Sequence, residues 1–322
     1  MLTMALATLM SIVMFDAKVS LSGDDCDYIL AADDFWHHFA FPGHHGSLYP
    51  IVLSPFVGLF GYRLVLLKFL SVLFTVGTFG FLYKAFERRI PSAVLIPSML
   101  LAAICSYIFF YAGYTYSEPL FMLLQSIYFY FFSRYFWVEG GTPSYTLRKD
   151  WKKYLTLGAL TLAMGLTREI GFCVIGVVIL YFAIKGRWKD LLYTVGAALL
   201  MLAAFYLVKA ILWPNVAAGH SFTNLMAKDY YNPNAGMEDT AGLLSRFWDN
   251  SRVYLSAFLC QMMGVMPETP SNRFDMSATR TLIIYGLYFA ALVVILVRRD
   301  APLLFAGLYA GVLNFASFVV LQ

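Results

Sequence analysis

Residues 154–184 read YLTLGALTLAMGLTREIGFCVIGVVILYFAI. The run is apolar on both sides of Thr167-Arg168-Glu169. Each half has about 15 residues, or roughly 22 Å of helix, which is short of a bilayer core about 30 Å thick. The stretch therefore predicts two short helices meeting at a charged elbow. Basic residues flank it on both sides: Arg148, Lys149, Lys152 and Lys153 before, Lys185, Arg187 and Lys189 after. Because lysine and arginine in short loops stay cytoplasmic, the hairpin is expected to enter from the cytoplasm and return. That puts Arg168 and Glu169 at or beyond the midplane.

The rest of the chain has the same character. Of its 322 residues, 60% are hydrophobic and 13% charged, and the mean hydropathy is +0.69. A water-soluble domain carries about a quarter charged residues, so this much apolar surface points to an integral membrane protein. Aromatic residues make up 18%, which excludes disordered, collagen-like and small disulfide-rich classes. The net charge of +4 comes with no basic tract on a soluble face, so a nucleic-acid partner has no support. Four cysteines without CxxC spacing suggest neither a disulfide framework nor a zinc finger. Cys26 and Cys260, both expected outside, are the one pair with a route to a disulfide.

Full-length spans are expected at residues 62–83, 93–112, 119–137, 191–213, 281–297 and 301–320, with residues 1–15 as a shorter, retained first span. Four basic loops, marked by Arg88, Lys152, Lys185 and Arg298, are placed in the cytoplasm. Residues 16–48 and 214–280 then fall outside, where most of the acids also lie. The apolar stretch 253–266 cannot cross once within an outer loop, so it is expected to be interfacial or re-entrant. The fold class is thus all-α: a polytopic transmembrane bundle of about eight to nine membrane helices, in a single domain over residues 1–322. The chain stops at Gln322 straight after a span, which leaves room for further helices or a soluble tail.

The densest charge follows the first span, where Asp24, Asp25, Asp27, Asp33 and Asp34 fall close together. Ser22 with Asp25 has the form of a helix capping box, but capping uses one acid and several are present. Asp24-Asp25, Tyr28, Ala31-Ala32 and then Tyr49-Pro50 resemble the first extracytoplasmic loop of the GT-C superfamily of glycosyltransferases, which use polyprenyl-phosphate-linked sugars. The protein O-mannosyltransferases and the bacterial lipid A aminoarabinose transferase belong to this group. Thr115-Tyr116-Ser117-Glu118-Pro119-Leu120-Phe121 and Leu166-Thr167-Arg168 are similar to patterns in the same group. The family's acidic pair is often Asp-Glu, and many members continue into more helices than this chain has.

The resemblance implies an inverting hexosyl or pentosyl transfer from a polyprenyl-phosphate donor to an extracytoplasmic lipid, glycan or protein acceptor. It implies a bacterial inner-membrane location with the site facing outward, and a catalytic aspartate in the first loop. Tyr28 and Tyr49 lie in the matching motifs and are carried over as substrate-binding residues.

The residue types suit that chemistry independently. Displacing a lipid phosphate from an anomeric carbon needs a base on the attacking group, while the phosphate departs without a protein acid. Asp24 is the expected base, and Asp25 orients it, binds a divalent metal or caps the helix. An intramembrane charge is costly and marks a functional site by default, so Arg168 is expected to hold the phosphate, with a local Arg168–Glu169 pair as the alternative. Lys68 either reaches the phosphate or snorkels to the interface. Arg246, Arg252, Arg273 and Arg280 are further options. Glu118 either complements a helix start capped by Ser117 or contacts the acceptor or a metal. Metal candidates are Asp25, Asp27, His44 and His45, although no helical H-x-x-x-H spacing supports them and solvated or substrate-contacting histidines are the simpler reading. The aromatic runs 107–111 and 128–132 are expected to pack within the bundle or the interfacial belt rather than bind sugar, with those near the outer edge able to line a prenyl groove. A secondary transporter or a non-catalytic membrane binding protein remains the competing function, because broken helices and buried charge also describe transporters.

Overall fold

A computed structural model of the chain describes residues 2–18, 24–43, 46–137, 147–216, 227–229, 232–262 and 276–320. Among these residues the regular structure is entirely helical. The chain divides into two compact units, Met1–Val216 and Ala217–Gln322. The first holds α1 (Leu2–Val13), α2 (Asp25–His38), α3 (Leu48–Phe60), α4 (Leu64–Phe86), α5 (Ser92–Ala103), α6 (Ser106–Ala112), α7 (Ser117–Phe136), α8 (Leu147–Thr167), α9 (Val174–Ile184) and α10 (Trp188–Leu212). The second holds α11 (Thr240–Val253), α12 (Leu259–Met262), α13 (Ala278–Arg298) and α14 (Ala301–Val320).

Four helices are long and apolar enough to cross a membrane: α4, α10, α13 and α14. They coincide with four of the expected spans. The expected span at 93–112 is instead the pair α5 and α6, bent by 56° at Ile104–Cys105. Counted as one broken span it makes a fifth. The bend lets Phe109 of α6 be fully buried and stack on Phe79 of α4, with ring centroids 6.1 Å apart. The first helix, at 12 residues, has a length of about 18 Å and is too short to cross the hydrocarbon core alone. The helix α7 has 20 residues but carries Gln125, Ser126, Ser133 and Arg134. It lies along α4 and against α8 inside the unit.

Two helices carry apolar faces left exposed among the described residues, which is compatible with contact with a lipid bilayer. On α13, Leu282, Ile283, Leu287, Phe289, Val293 and Val297 are exposed, and on α10 so are Leu192, Leu199, Leu200, Leu207 and Ile211. Inside the first unit, aromatic rings set the packing. Phe132 lies 5.2 Å from Tyr181 and 5.7 Å from Phe182, and Phe136 lies 4.9 Å from Phe182. In lipid such contacts, rather than a hydrophobic drive between helices, hold neighbours together, and each ring pair contributes about 0.5–1.5 kcal/mol beyond burial.

The break in the 154–184 stretch falls at Arg168, which is extended (φ −148°, ψ 129°) between α8 and a 3-10 turn, Glu169–Cys173. Glycines let the chain fold back there: a Cβ at Gly171 would meet the Met164 carbonyl at 2.6 Å. The α2–α3 connection presses on the same corner. Gly46 has φ +92°, and a Cβ on it would collide with the Thr167 carbonyl oxygen. In the second unit, the apolar stretch beginning at Val253 continues α11 as a π-helical turn, Tyr254–Phe258, and then α12. Residues 263–275, including Arg273, lie outside the described residues.

Candidate functional site

Three segments that are distant in sequence meet at the N-terminal end of α7. The first is the start of α2. Asp24 occupies the position before that helix (φ −68°, ψ −1°), whereas the sequence had suggested Ser22. The Asp24 side chain caps nothing, is half-buried, and makes no hydrogen bond among the described residues. Asp25, the first helical residue, is fully buried and accepts from the Thr115 amide at 2.7 Å and the Thr115 hydroxyl at 2.5 Å. Its carboxylate thus fastens α2 to the segment entering α7. One turn on, Tyr28 donates to the Ser117 hydroxyl at 3.1 Å. Tyr49 of α3 is fully buried with its ring edge-on to Tyr28 at 5.0 Å.

The second segment is the start of α7 itself. The position before the helix belongs to Tyr116, so Ser117 is not its cap, as the sequence had suggested, and Glu118 falls in the first turn. There a carboxylate is favoured by the unpaired amides of the helix start. The third is the elbow. Arg168 Nη1 donates to Glu118 Oε1 at 2.5 Å and to Ser117 Oγ at 3.4 Å. The alternative Arg168–Glu169 pair is therefore not what holds the arginine; its carboxylate partner lies 50 residues away on α7. Among the described residues only Nη1 is occupied. Nε and Nη2, which point the same way and form the side-on fork, make no hydrogen bond among the described residues, and the side chain is 40% exposed.

The electrostatics of Tyr28 register the whole group. Burial pushes its hydroxyl up to about 12; the Ser117 bond and Arg168 act downward, while Glu118 and Asp24 act upward. Asp24, Glu118 and Arg168 therefore all act on one phenol, which stays a neutral donor throughout the neutral range.

Other expected site residues stand elsewhere. Lys68 is fully buried, and its Nζ donates to the carbonyls of Asp16 at 2.9 Å and Lys18 at 2.5 Å, with the Tyr114 ring 4.9 Å away. It neither snorkels nor turns toward the cluster; it holds the turn after α1. Arg246 pairs with Glu238 at 3.1 Å, Arg252 donates to the Met276 carbonyl, and Arg280 donates to the Ser256 carbonyl. These three bind their own unit. All four cysteines are free, Cys26 and Cys260 included. For a metal, Asp25 does not fit, because it is sealed and bonded to Thr115. Asp27 is exposed, His44 and His45 lie outside the described residues, and no group of three or more ligand-type side chains gathers among the described residues.

Thr115 is the site residue whose role the sequence did not assign. The motif it opens marks the segment but not this role, which is to receive Asp25 across 90 residues. Comparison with known proteins finds no match to a family model, a curated protein or a solved structure.

Proposed function

We propose that the protein is an integral membrane glycosyltransferase that moves a sugar from a polyprenyl-phosphate donor to a lipid, glycan or protein acceptor outside the membrane. In this reading about eight to nine helices cross or enter a bacterial inner membrane, and the N-terminal end of α7 faces outward. One observation carries the reading: Asp24, a carboxylate with no hydrogen bond among the described residues, and Arg168, an arginine whose Nε and Nη2 make none among them, both act electrostatically on the Tyr28 hydroxyl, which shares Ser117 with Arg168.

The chemistry follows from the two charges. The acceptor oxygen or nitrogen attacks the anomeric carbon and gives its proton to Asp24. The bond from that carbon to the phosphate oxygen breaks with inversion, and the electron pair leaves on the phosphate. Arg168 stabilises the charge developing there through Nε and Nη2, while Glu118 and Ser117 hold the guanidinium by Nη1. Asp25 positions the cluster through Thr115. No step passes through a metal ion.

The bend between α5 and α6 favours the alternative, a secondary transporter, because it supplies a second interrupted apolar segment. Its break, Ile104–Cys105, carries no charged residue, whereas a coupling site would place ionisable groups there. The deciding experiment is Asp24→Asn in a transfer assay with polyprenyl-phosphate-linked sugars. A base contributes about 100-fold to 10,000-fold, so turnover should vanish while donor binding persists. A loss below tenfold moves the base elsewhere, and solute uptake into proteoliposomes without any transfer would establish the transporter.

A further inference from the structure

Beside the Arg168–Glu118 pair lies a group of aromatic side chains that the mechanism does not use. Phe110 and Tyr114 are 4.8 Å apart, Tyr114 and Tyr116 are 5.4 Å apart, and Tyr111 and Tyr116 are 6.1 Å apart, all centroid to centroid. The group follows directly from the α6 bend and runs into Ser117 and Glu118. The run 107–111 is expected to pack in the bundle or the interfacial belt, and Phe109, fully buried on Phe79, is in the bundle. Its neighbours differ: Phe110 is 46% exposed, and Tyr111, Tyr114 and Tyr116 are half-buried.

The polar atoms point to what would cover these rings. The Tyr111 hydroxyl lies within electrostatic reach of Glu118, Arg168 and Tyr116. It makes no hydrogen bond among the described residues. A half-buried phenol with no partner has a donor and an acceptor to spare, and its ring is one of four that are incompletely covered. A prenyl chain would cover the rings and leave that hydroxyl unmatched in an apolar contact, which is costly. A pyranose satisfies both demands, because its C–H face packs on a ring while its hydroxyls reach the polar rim.

We propose that Tyr111, Tyr114 and Tyr116 form a saccharide-binding shelf, on which the sugar of the donor rests with one hydroxyl bonded to Tyr111 and its phosphate on Arg168. This rests on the proposed function in taking the phosphate to sit on Arg168, but the shelf itself recognises a sugar whether or not transfer follows.

The test uses the full chain in detergent and compares three probes: bare polyprenyl phosphate, polyprenyl-phosphate mannose and methyl mannoside. The expectation is that the mannose-bearing lipid binds more tightly than the bare lipid. Tyr111→Phe should cut that advantage about three- to tenfold, the range for one lost hydrogen bond, without altering affinity for the bare lipid. Tyr116→Ala, which removes a ring rather than a hydroxyl, should cut it further. Equal losses for both lipids would show a prenyl groove and overturn the shelf. A sugar advantage insensitive to both substitutions would overturn it too, and Arg168-dependent binding of bare lipid would then leave the glycosyltransferase reading standing. If no lipid binds but methyl mannoside does so in a Tyr111-dependent way, the shelf stands and that reading fails. Binding of none of the three refutes both.

Discussion

The two ends of α7 carry the same chemistry in opposite states. At its C-terminal end, Asp190 of α10 is fully buried and accepts from Arg187 Nε at 2.8 Å and the Tyr154 hydroxyl at 2.6 Å. Arg187 also donates from Nη1 to the Phe136 carbonyl at 3.3 Å, and its guanidinium lies over the Phe136 and Phe182 rings at 5.1 and 5.5 Å. Nearby, Arg89 donates to the Trp137 carbonyl. Both cations bind the last carbonyls of the helix, where positive charge is favoured. At the N-terminal end, Arg168 has one nitrogen engaged and 40% of its side chain exposed, against 23% for Arg187. A closed ion cluster ties helices together; an open one retains donors for something else. Only the second can bind a phosphate without first breaking.

That contrast orders the expected effects. The largest is on stability at the closed end: Asp190→Ala leaves Arg187 without its carboxylate and should cost about 3 kcal/mol, seen as a lower melting temperature in detergent. A loss as small as that of an exposed pair would mean that the two ends do not differ. Next, Arg168→Ala should reduce turnover by about 100-fold, as removal of one stabilising donor does, yet alter stability by less than about 1 kcal/mol because the pair is screened. Arg168→Lys keeps the charge but loses the planar fork, so its turnover should fall between wild type and Arg168→Ala. An Arg168→Ala variant that melts as early as Asp190→Ala would reduce the elbow to bundle architecture.

The smallest effects sharpen the picture of how the open cluster is supported. Tyr28→Phe removes one buried hydrogen bond and should cost about 1 kcal/mol. Burial holds the Tyr28 proton on up to about 12, above the ordinary value of about 10. The contribution of its hydroxyl is therefore complete below about pH 10 and lost as pH rises toward about 12. Tyr28→Phe should accordingly flatten the alkaline limb of the stability profile, and an unchanged limb would place the titrating group elsewhere.

How much of this was legible in the sequence depends on whether the signal was local. The elbow was visible because Arg168 and Glu169 interrupt an apolar run, and α4, α10, α13 and α14 were visible because length and hydropathy define a span. The α5–α6 bend was not, since Ile104-Cys105 carries no proline, glycine or charge. Nor was α3 assigned: Leu48–Phe60 is apolar but, at 13 residues, too short to count as a span, and Pro50 and Pro55 both lie within the helix. Asp24, Tyr28, Glu118 and Arg168 were named from their residue types and motifs. Their connections were not readable, because Asp25–Thr115 and Arg168–Glu118 join positions 90 and 50 residues apart. Lys68 shows the reverse error: a lone intramembrane cation suggests a ligand, and here two backbone carbonyls on the turn after α1 are its partners.

The most direct measurement is the affinity of the purified full chain for bare polyprenyl phosphate in the wild type, in Arg168→Ala and in Arg187→Ala, each checked by its melting temperature. The open-cluster account predicts that Arg168→Ala binds at least tenfold more weakly while melting like the wild type, and that any Arg187→Ala protein still folded binds normally. Wild-type affinity in a folded Arg168→Ala protein would contradict it.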